Sequence, residues 1–126
     1  MAIFGVGSDI VEISRIDVLY SKKGEKFARR ILINGEWDHY KKSKNPVRFL
    51  ATHFSVKEAA SKAFGTGIRN GLAFLQFELL KDSFGKPIMK LHERAAELSI
   101  QLGIKNIHVT LTNERHYTYA MVIFEC

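Results

Sequence analysis

Two carboxylates, Asp9 and Glu58, have the surroundings in this sequence that best suit catalysis or metal binding. Asp9 follows two glycines in the segment GVGSD, and most of its neighbours along the chain are apolar. A carboxylate in such a segment needs a partner, because an unpaired buried charge costs several kcal/mol. The pattern predicts that Asp9 is paired with an arginine, a backbone cap or a metal ion.

Glu58 lies between two lysines in the segment FSVKEAASKAFGTG. One interpretation is structural: Ser55 and Glu58 have the spacing of a capping box, and Glu58 and Lys62 that of a helical ion pair. The other is chemical, because Mg²⁺ sites commonly combine one or two carboxylates with waters and substrate phosphates. Asp9, Glu58 and Lys62 would make such a set, and their spacing leaves both interpretations open.

A glycine-rich turn, FGTGIRNG, follows this segment. It lacks the lysine and hydroxyl residue that a Walker P-loop places after its second glycine. Gly65 is expected to end the helix in the left-handed conformation, while Thr66 and Gly67 are placed to offer backbone amides to a phosphate. The five histidines do not have the spacing of zinc ligands.

Composition and length indicate a globular protein. The chain has 126 residues, of which 46% are hydrophobic and 25% charged, and this predicts one domain over residues 1–126. No apolar run is long enough for a transmembrane helix, and the N-terminus lacks the basic leader of a signal peptide. The single cysteine, Cys126, cannot form an internal disulfide, so the expected location is the cytoplasm.

The net charge of +6 predicts an acidic partner or substrate. Nucleic acid, a polyphosphate compound and an acidic protein all fit this charge. The basic residues occur in short pieces, such as Lys22–Lys23 and Arg29–Arg30, and no basic tail is present. Each pair alone is typical of a solvated helix face.

Alternating apolar and polar residues predict strands in three parts of the chain. The first is the N-terminal segment AIFGVGSDIVEI. The second is a pair of short strands, LQFELLKD and PIMKL, around the turn SFGK. The third is a closing hairpin formed by residues 107–111 and 117–124.

Helices are predicted between these strands from capping residues and apolar spacing. Ser14 is expected to cap the first, and Asn45–Pro46 to start a long helix that runs to Gly65, with a break near Ser55 left open. The other predicted helices are EKFARRIL, GEWDHYKKS after Asn34, and HERAAELSIQLG. The pattern indicates an α+β fold, with a small, mainly antiparallel sheet packed with several helices.

The combination of GVGSDIVEISRI with RFLATHFSVKEAASKAFGTG resembles the holo-[acyl-carrier-protein] synthase family of 4'-phosphopantetheinyl transferases. The segment VTLTNERHYTYA is similar to the closing hairpin of that family, so the resemblance covers essentially the whole chain. It implies the corresponding fold and a Mg²⁺-dependent reaction. The 4'-phosphopantetheine group of coenzyme A would pass to a serine of apo acyl carrier protein, releasing adenosine 3',5'-bisphosphate.

The resemblance also assigns roles to individual residues. Asp9 and Glu58 correspond to the metal ligands, and Lys62 would contact phosphate. Glu58, or a water held by it and the metal, would accept the serine proton. Larger relatives carry another acid where this chain has Val11, which implies the small, trimeric branch with active sites shared between neighbouring subunits.

Contacts with the nucleotide part of coenzyme A are implied in the same way. Two positions depart from the family pattern: many members have arginine in place of His53, and many have a serine–histidine pair in place of Thr112–Asn113. A phosphate contact at His53 would be weaker or pH-dependent, and the histidine contact has no counterpart here. The candidates are Arg48, His53, Gly65, Thr66 and Gly67.

The basic charge acquires a specific interpretation, because acyl carrier proteins are small and acidic. Arg15, Lys22 and Arg29 are candidates for docking the carrier. Two alternatives remain open. One is a non-catalytic module that binds nucleic acid through basic pairs and aromatics, although no recognised RNA- or DNA-binding motif is present. The other is a transferase for a different carrier domain, as in a polyketide or peptide synthase.

Overall fold

In the computed structural model, which describes residues 1–126, one strand is followed by four α-helices, two strands, a fifth α-helix and two final strands. The strands are β1 (Ile3–Glu12), β2 (Phe77–Lys81), β3 (Pro87–Leu91), β4 (Asn106–Asn113) and β5 (Tyr117–Glu125). The α-helices are α1 (Ile13–Lys23), α2 (Glu25–Ile31), α3 (Trp37–Lys42), α4 (Pro46–Ala63) and α5 (Glu93–Gln101). Two short 3₁₀ helices span Asn34–Glu36 and Phe74–Gln76.

The strands form two antiparallel sheets. The first has the order β1-β5-β4, so the N-terminal strand pairs with the last strand of the chain, with Gly7 opposite Val122 and Asp9 opposite Ala120. The second is the β2–β3 hairpin. The predicted α+β class with antiparallel strands is confirmed.

Helix α4 packs across β1 and β5 at very short range. A methyl group added at Gly7 would place its carbon 1.8 Å from the carbonyl oxygen of Ala59, and one added at Gly5 would lie 2.0 Å from that of Ala63. Only a hydrogen fits at either position. The two glycines of GVGSD, together with small residues on α4, therefore set the distance between the strand and the helix that carry the predicted site.

The start of α4 agrees with the sequence pattern, whereas its interior does not. The Asn45 side chain accepts a hydrogen bond from the Arg48 amide at 3.1 Å, and Pro46 is the first helical residue. The helix is continuous through Ser55, whose hydroxyl donates to the Thr52 carbonyl at 3.1 Å. The capping-box interpretation of Ser55 and Glu58 is therefore wrong.

The predicted cap of α1 is also wrong. The helix begins at Ile13 with Glu12 in the capping position, and no side chain caps it. The Ser14 hydroxyl instead donates to the Glu12 carboxylate at 2.9 Å.

Two hydrophobic clusters lie on different sides of α4. The larger joins α4 to the three-stranded sheet and includes Ala59, Val122 and Phe124. The smaller joins α1, α2 and α3 to the first half of α4, around Ile16 and Leu50. Helix α4 is thus the element common to both.

The opposite face of the three-stranded sheet is not covered by any part of this chain. Alternate residues of β1 on that face, namely Phe4, Val6 and Ile10, are exposed, and Ile10 reaches 62%. None of the helices combines the length and apolar character that a membrane span needs.

Candidate active site

Asp9 and Lys62 meet where β1 passes under α4. The Lys62 ammonium lies 3.0 Å from Asp9 Oδ1 and donates to the Ser8 carbonyl at 3.0 Å. The Asp9 side chain is only 14% exposed, and its other oxygen, Oδ2, is buried without a hydrogen-bond partner. Asp9 therefore has one oxygen satisfied by a cation of the chain and one available to a further ligand.

Glu58 lies on α4 one turn before Lys62 and is half-buried. Burial raises the pKa of the Glu58 carboxyl, and the nearby charge of Asp9 raises it further, while Lys62 opposes both. No cation lies within ion-pair distance of Glu58, so the predicted helical ion pair with Lys62 is absent because Lys62 turns to Asp9. The charge of Asp9 is thus close enough to disfavour ionisation of Glu58.

This donor set suits a hard divalent cation. Its ligands are oxygen atoms, which Mg²⁺ prefers. A bound Mg²⁺ would also give Asp9 Oδ2 a partner and reduce the repulsion between the two carboxylates. No group of three or more His, Cys, Asp or Glu side chains is placed to hold a metal ion. Asp9 and Glu58 would therefore be the two protein ligands, leaving the other positions to water and substrate oxygens.

The turn after α4 has the expected left-handed glycines, at φ 94° for Gly65 and 73° for Gly67. Their amides, however, are used inside the chain: Gly65 donates to the Lys62 carbonyl at 2.8 Å and Gly67 to the Ser61 carbonyl at 3.1 Å. The prediction of a free Gly67 amide is therefore wrong. The Thr66 amide has no acceptor in the chain and is free to donate to a ligand.

Arg48 holds the turn between β4 and β5. Its guanidinium donates to the carbonyls of Glu114 and Arg115 at 3.0 and 3.1 Å, and the nearby Thr52 hydroxyl donates to the Asn113 side chain at 3.3 Å. The position predicted to contact coenzyme A is thus engaged by the hairpin turn. Asn113, which replaces the histidine of many relatives, lies against α4.

His53 faces the interior. Its side chain is 8% exposed, stacks on Phe49 with ring centroids 4.3 Å apart, and places Nδ1 3.2 Å from a carboxylate oxygen of Glu36. Burial lowers the pKa of His53, although Glu36 opposes the shift. Because His53 and Glu58 are five residues apart on α4, their side chains point about 140° apart. The structure therefore separates His53 from the Asp9–Glu58 pair, and its placement does not support the predicted nucleotide contact.

A buried ion pair next to the site was missed at the level of sequence. Lys57 is 0% exposed, and its ammonium donates to Glu36 and to the Ile31 carbonyl, both at 2.6 Å. His53 and Lys57 are four residues apart and so share one helical face, which is the sequence feature that could have indicated a common acceptor. The acceptor is 21 residues away in sequence and could not be identified from it.

The basic residues proposed for docking do not form one patch. Arg15 is exposed on α1, beside a groove of about 320 Å³, and Lys22 is exposed on the last turn of the same helix. Arg29, on α2, lies 4.9 Å from the centre of the Trp37 ring and lines a different cleft. The groove beside Arg15 is lined by Val11, Ile16, Val18, Leu19 and Phe54.

Comparisons with known proteins agree with this fold. Residues 5–122 match the model of the 4'-phosphopantetheinyl transferase superfamily. The holo-[acyl-carrier-protein] synthase of Yersinia enterocolitica is 62% identical over 125 residues, which are 99% of each chain. The chain therefore belongs to the 4'-phosphopantetheinyl transferase superfamily and, within it, to the holo-[acyl-carrier-protein] synthase family.

Solved structures are similar over nearly the whole chain. The holo-[acyl-carrier-protein] synthase of Neisseria meningitidis superposes with a TM-score of 0.94 at 34% identity, covering 99% of this chain and 100% of that one. The synthase of Bacillus anthracis, solved in complex with CoA (3',5'-ADP), has a TM-score of 0.80 at 32% identity and covers 97% and 96%. Family membership favours a transferase over a non-catalytic nucleic-acid-binding module.

Proposed function

We propose that this chain transfers the 4'-phosphopantetheine group of coenzyme A to a serine hydroxyl of apo acyl carrier protein, releasing adenosine 3',5'-bisphosphate. The observation that carries the proposal is the meeting of Asp9, Glu58 and Lys62 at the contact of β1 with α4. Residues 1–126 act as one transferase domain, and the single cysteine suits a reducing cytoplasm.

Each member of the site has a distinct part in this reaction. Asp9 and Glu58 would hold Mg²⁺, which when bound neutralises the diphosphate and stabilises the leaving phosphate. Lys62, which pairs with Asp9 in the free chain, is placed to contact a substrate phosphate as a point charge. Glu58 accepts the proton of the attacking serine, directly or through a water. The Thr66 amide is a further donor for a phosphate oxygen.

The direct test is to incubate the protein with coenzyme A, Mg²⁺ and apo carrier proteins, and to measure the molecular mass of each carrier. We expect an apo fatty-acid carrier to gain the mass of one phosphopantetheine group, and a carrier with its acceptor serine changed to alanine to gain none. A mass gain only on carrier domains of polyketide or peptide synthases would favour the alternative of a transferase for a different carrier domain. No gain on any carrier would contradict the proposal.

The carrier is proposed to dock on α1, beside the active site. Exposed Val18 and Leu19 line the groove with Arg15, so an apolar patch lies next to a cation, a combination that suits a small acidic protein. Lys22 lies two turns along the same helix and extends this surface. Arg29 would act only at its edge, because it lines the separate cleft beside Trp37.

Replacing Arg15 by glutamate is expected to lower kcat/KM for the carrier by about tenfold or more, since charge complementarity mainly controls encounter. The loss should shrink as salt is raised, and KM for coenzyme A should not change. Lys105→Glu makes the same charge change at an exposed position before β4 and is the matched control. Equal effects of the two substitutions would contradict docking on α1.

The protein is proposed to be a homotrimer with active sites at the subunit interfaces, as the family resemblance implies. The exposed face of β1, formed by Phe4, Val6 and Ile10, supports this, because contiguous apolar surface commonly marks an interface.

Replacing Ile10 by glutamate should therefore convert the trimer to monomers, measured as a threefold fall in mass by sedimentation equilibrium. The matched control is Ile100→Glu on α5, where the isoleucine is 79% exposed outside this face. A wild-type monomer, or a trimer that survives Ile10→Glu, would contradict the assignment.

A further inference from the structure

The carboxylate of Glu36 joins three parts of the chain beneath α4. Its oxygen Oε1 accepts from the Lys57 ammonium at 2.6 Å and from the Ile33 amide at 3.0 Å. Its oxygen Oε2 accepts from the Leu79 amide at 2.8 Å and lies 3.2 Å from Nδ1 of His53. One buried charge therefore contacts the residues that follow α2, two residues of α4 and the middle of β2.

The charged groups in this network are almost fully enclosed. Burial alone would raise the pKa of Glu36, but the nearby His53 ring and the charge of Lys57 outweigh it and hold that pKa well below its ordinary value. Lys57 also donates to the Ile31 carbonyl, so its charge has two acceptors. Buried ion pairs of this kind are often no more stabilising than hydrophobic residues of the same volume. Their better-attested value is that they fix one arrangement of the packed elements.

The arrangement that this network fixes is the rotation of α4 about its own axis. His53 and Lys57 lie on the helical face that points to Glu36, whereas Glu58 and Lys62 lie on the face that points to Asp9. Helices are stiff, so a contact that holds one face also directs the other. The close packing of Gly7 against Ala59 sets how near α4 lies to β1.

We propose that Glu36 and Lys57 are positioning residues for the transfer reaction. They hold α4 in the rotation that directs Glu58 and Lys62 towards Asp9 and the substrate diphosphate. The inference rests on the proposed transferase function, and it assigns to the lysine that precedes Glu58 a role that does not require contact with coenzyme A.

The test removes both buried charges together, so that neither is left unpaired. In Glu36→Gln/Lys57→Met, glutamine keeps the shape of the acid and one acceptor, and methionine fills the volume of the lysine stem. We expect this variant to melt near the wild-type temperature and kcat to fall by about 100-fold, the loss that misplacement of reacting groups by about 1 Å produces. Its affinity for Mn²⁺ in the presence of coenzyme A, measured by calorimetry, should fall at least tenfold.

Two further variants separate positioning from stability. Val56→Ala removes buried volume from the same helix without touching the network, so it should lower the melting temperature while keeping kcat near wild type. Lys57→Arg keeps a cation for Glu36 and should retain more activity than Lys57→Met.

The outcomes distinguish this inference from the proposed function. Wild-type kcat and Mn²⁺ affinity in the double variant, or losses that only follow stability as in Val56→Ala, would overturn the positioning role. If the wild-type protein modified no carrier, the transferase proposal would fail. The Mn²⁺ affinities would still decide whether Glu36 and Lys57 direct Glu58.

Discussion

Replacing Glu58 by glutamine is expected to lower kcat for phosphopantetheine transfer by about 10²–10⁴-fold, the usual contribution of a general base. Glutamine keeps the shape of the side chain but offers one neutral oxygen to a divalent cation and cannot accept the serine proton. Because Glu58 is only half-buried and forms no ion pair, the fold should be unchanged by circular dichroism. Steady-state transfer of radiolabelled phosphopantetheine from coenzyme A measures the loss.

The pH profile gives a second measurement of the same residue. Burial and the charge of Asp9 raise the pKa of Glu58 in the free protein, so kcat/KM should fall as pH drops through a value above the ordinary range for glutamate. This acid limb should be absent from the residual activity of Glu58→Gln. The control is Glu97→Gln, at an exposed position on α5. Near-normal turnover in Glu58→Gln would remove Glu58 from both of its proposed roles.

Replacing Gly7 by alanine is expected to destabilise the protein by about 1–3 kcal/mol or more, the range for overpacked cores. The added carbon would lie 1.8 Å from the Ala59 carbonyl oxygen and 2.6 Å from the Ala63 amide nitrogen, both of them backbone atoms. Relief requires α4 to move away from β1, which would also separate Glu58 from Asp9. Urea denaturation measures the free energy of unfolding, and transfer by the folded fraction measures the second effect.

Lys90→Ala is the control, because it also places an alanine on a strand, and Lys90 is exposed on β3, away from the contact of β1 with α4. It should change stability by less than about 0.5 kcal/mol. If Gly7→Ala were as stable and as active as Lys90→Ala, the contact of β1 with α4 would not control the site.

The features that were predicted from the sequence are those with local causes. Asn45–Pro46 marks the first turn of α4 because capping and proline preferences act within a few residues. The strands of the closing hairpin were predicted because alternation is a local signal. Asp9 and Glu58 were also predicted to lie near each other, and they do. That prediction rested only on their residue types and on the family resemblance.

The errors came from local patterns that tertiary contacts override. Ser55 and Glu58 have capping-box spacing, but α4 already begins at Pro46, and its packing carries the helix through Ser55. Lys62 has the spacing to pair with Glu58, yet its ammonium bonds Asp9, 53 residues away in sequence. No pattern within a helix can decide between such partners.

Two residue roles carried over from the family stay predictions, because both side chains have partners within the chain. Arg48 and His53 were expected to contact coenzyme A, but one holds the hairpin turn and the other stacks in the interior beside Glu36. Resemblance aligns positions, whereas the direction of each side chain depends on its neighbours in the fold.

The proposed reaction depends most on the joint binding of one divalent cation by Asp9 and Glu58. Crystals of the wild-type protein grown with coenzyme A and Mn²⁺ would locate that ion by its anomalous scattering. The predicted result is a single Mn²⁺ peak at coordination distance from Asp9 Oδ2, from a Glu58 carboxylate oxygen and from the diphosphate of coenzyme A. Mn²⁺ bound to the diphosphate with neither carboxylate at coordination distance, or found only elsewhere on the protein, would contradict the account.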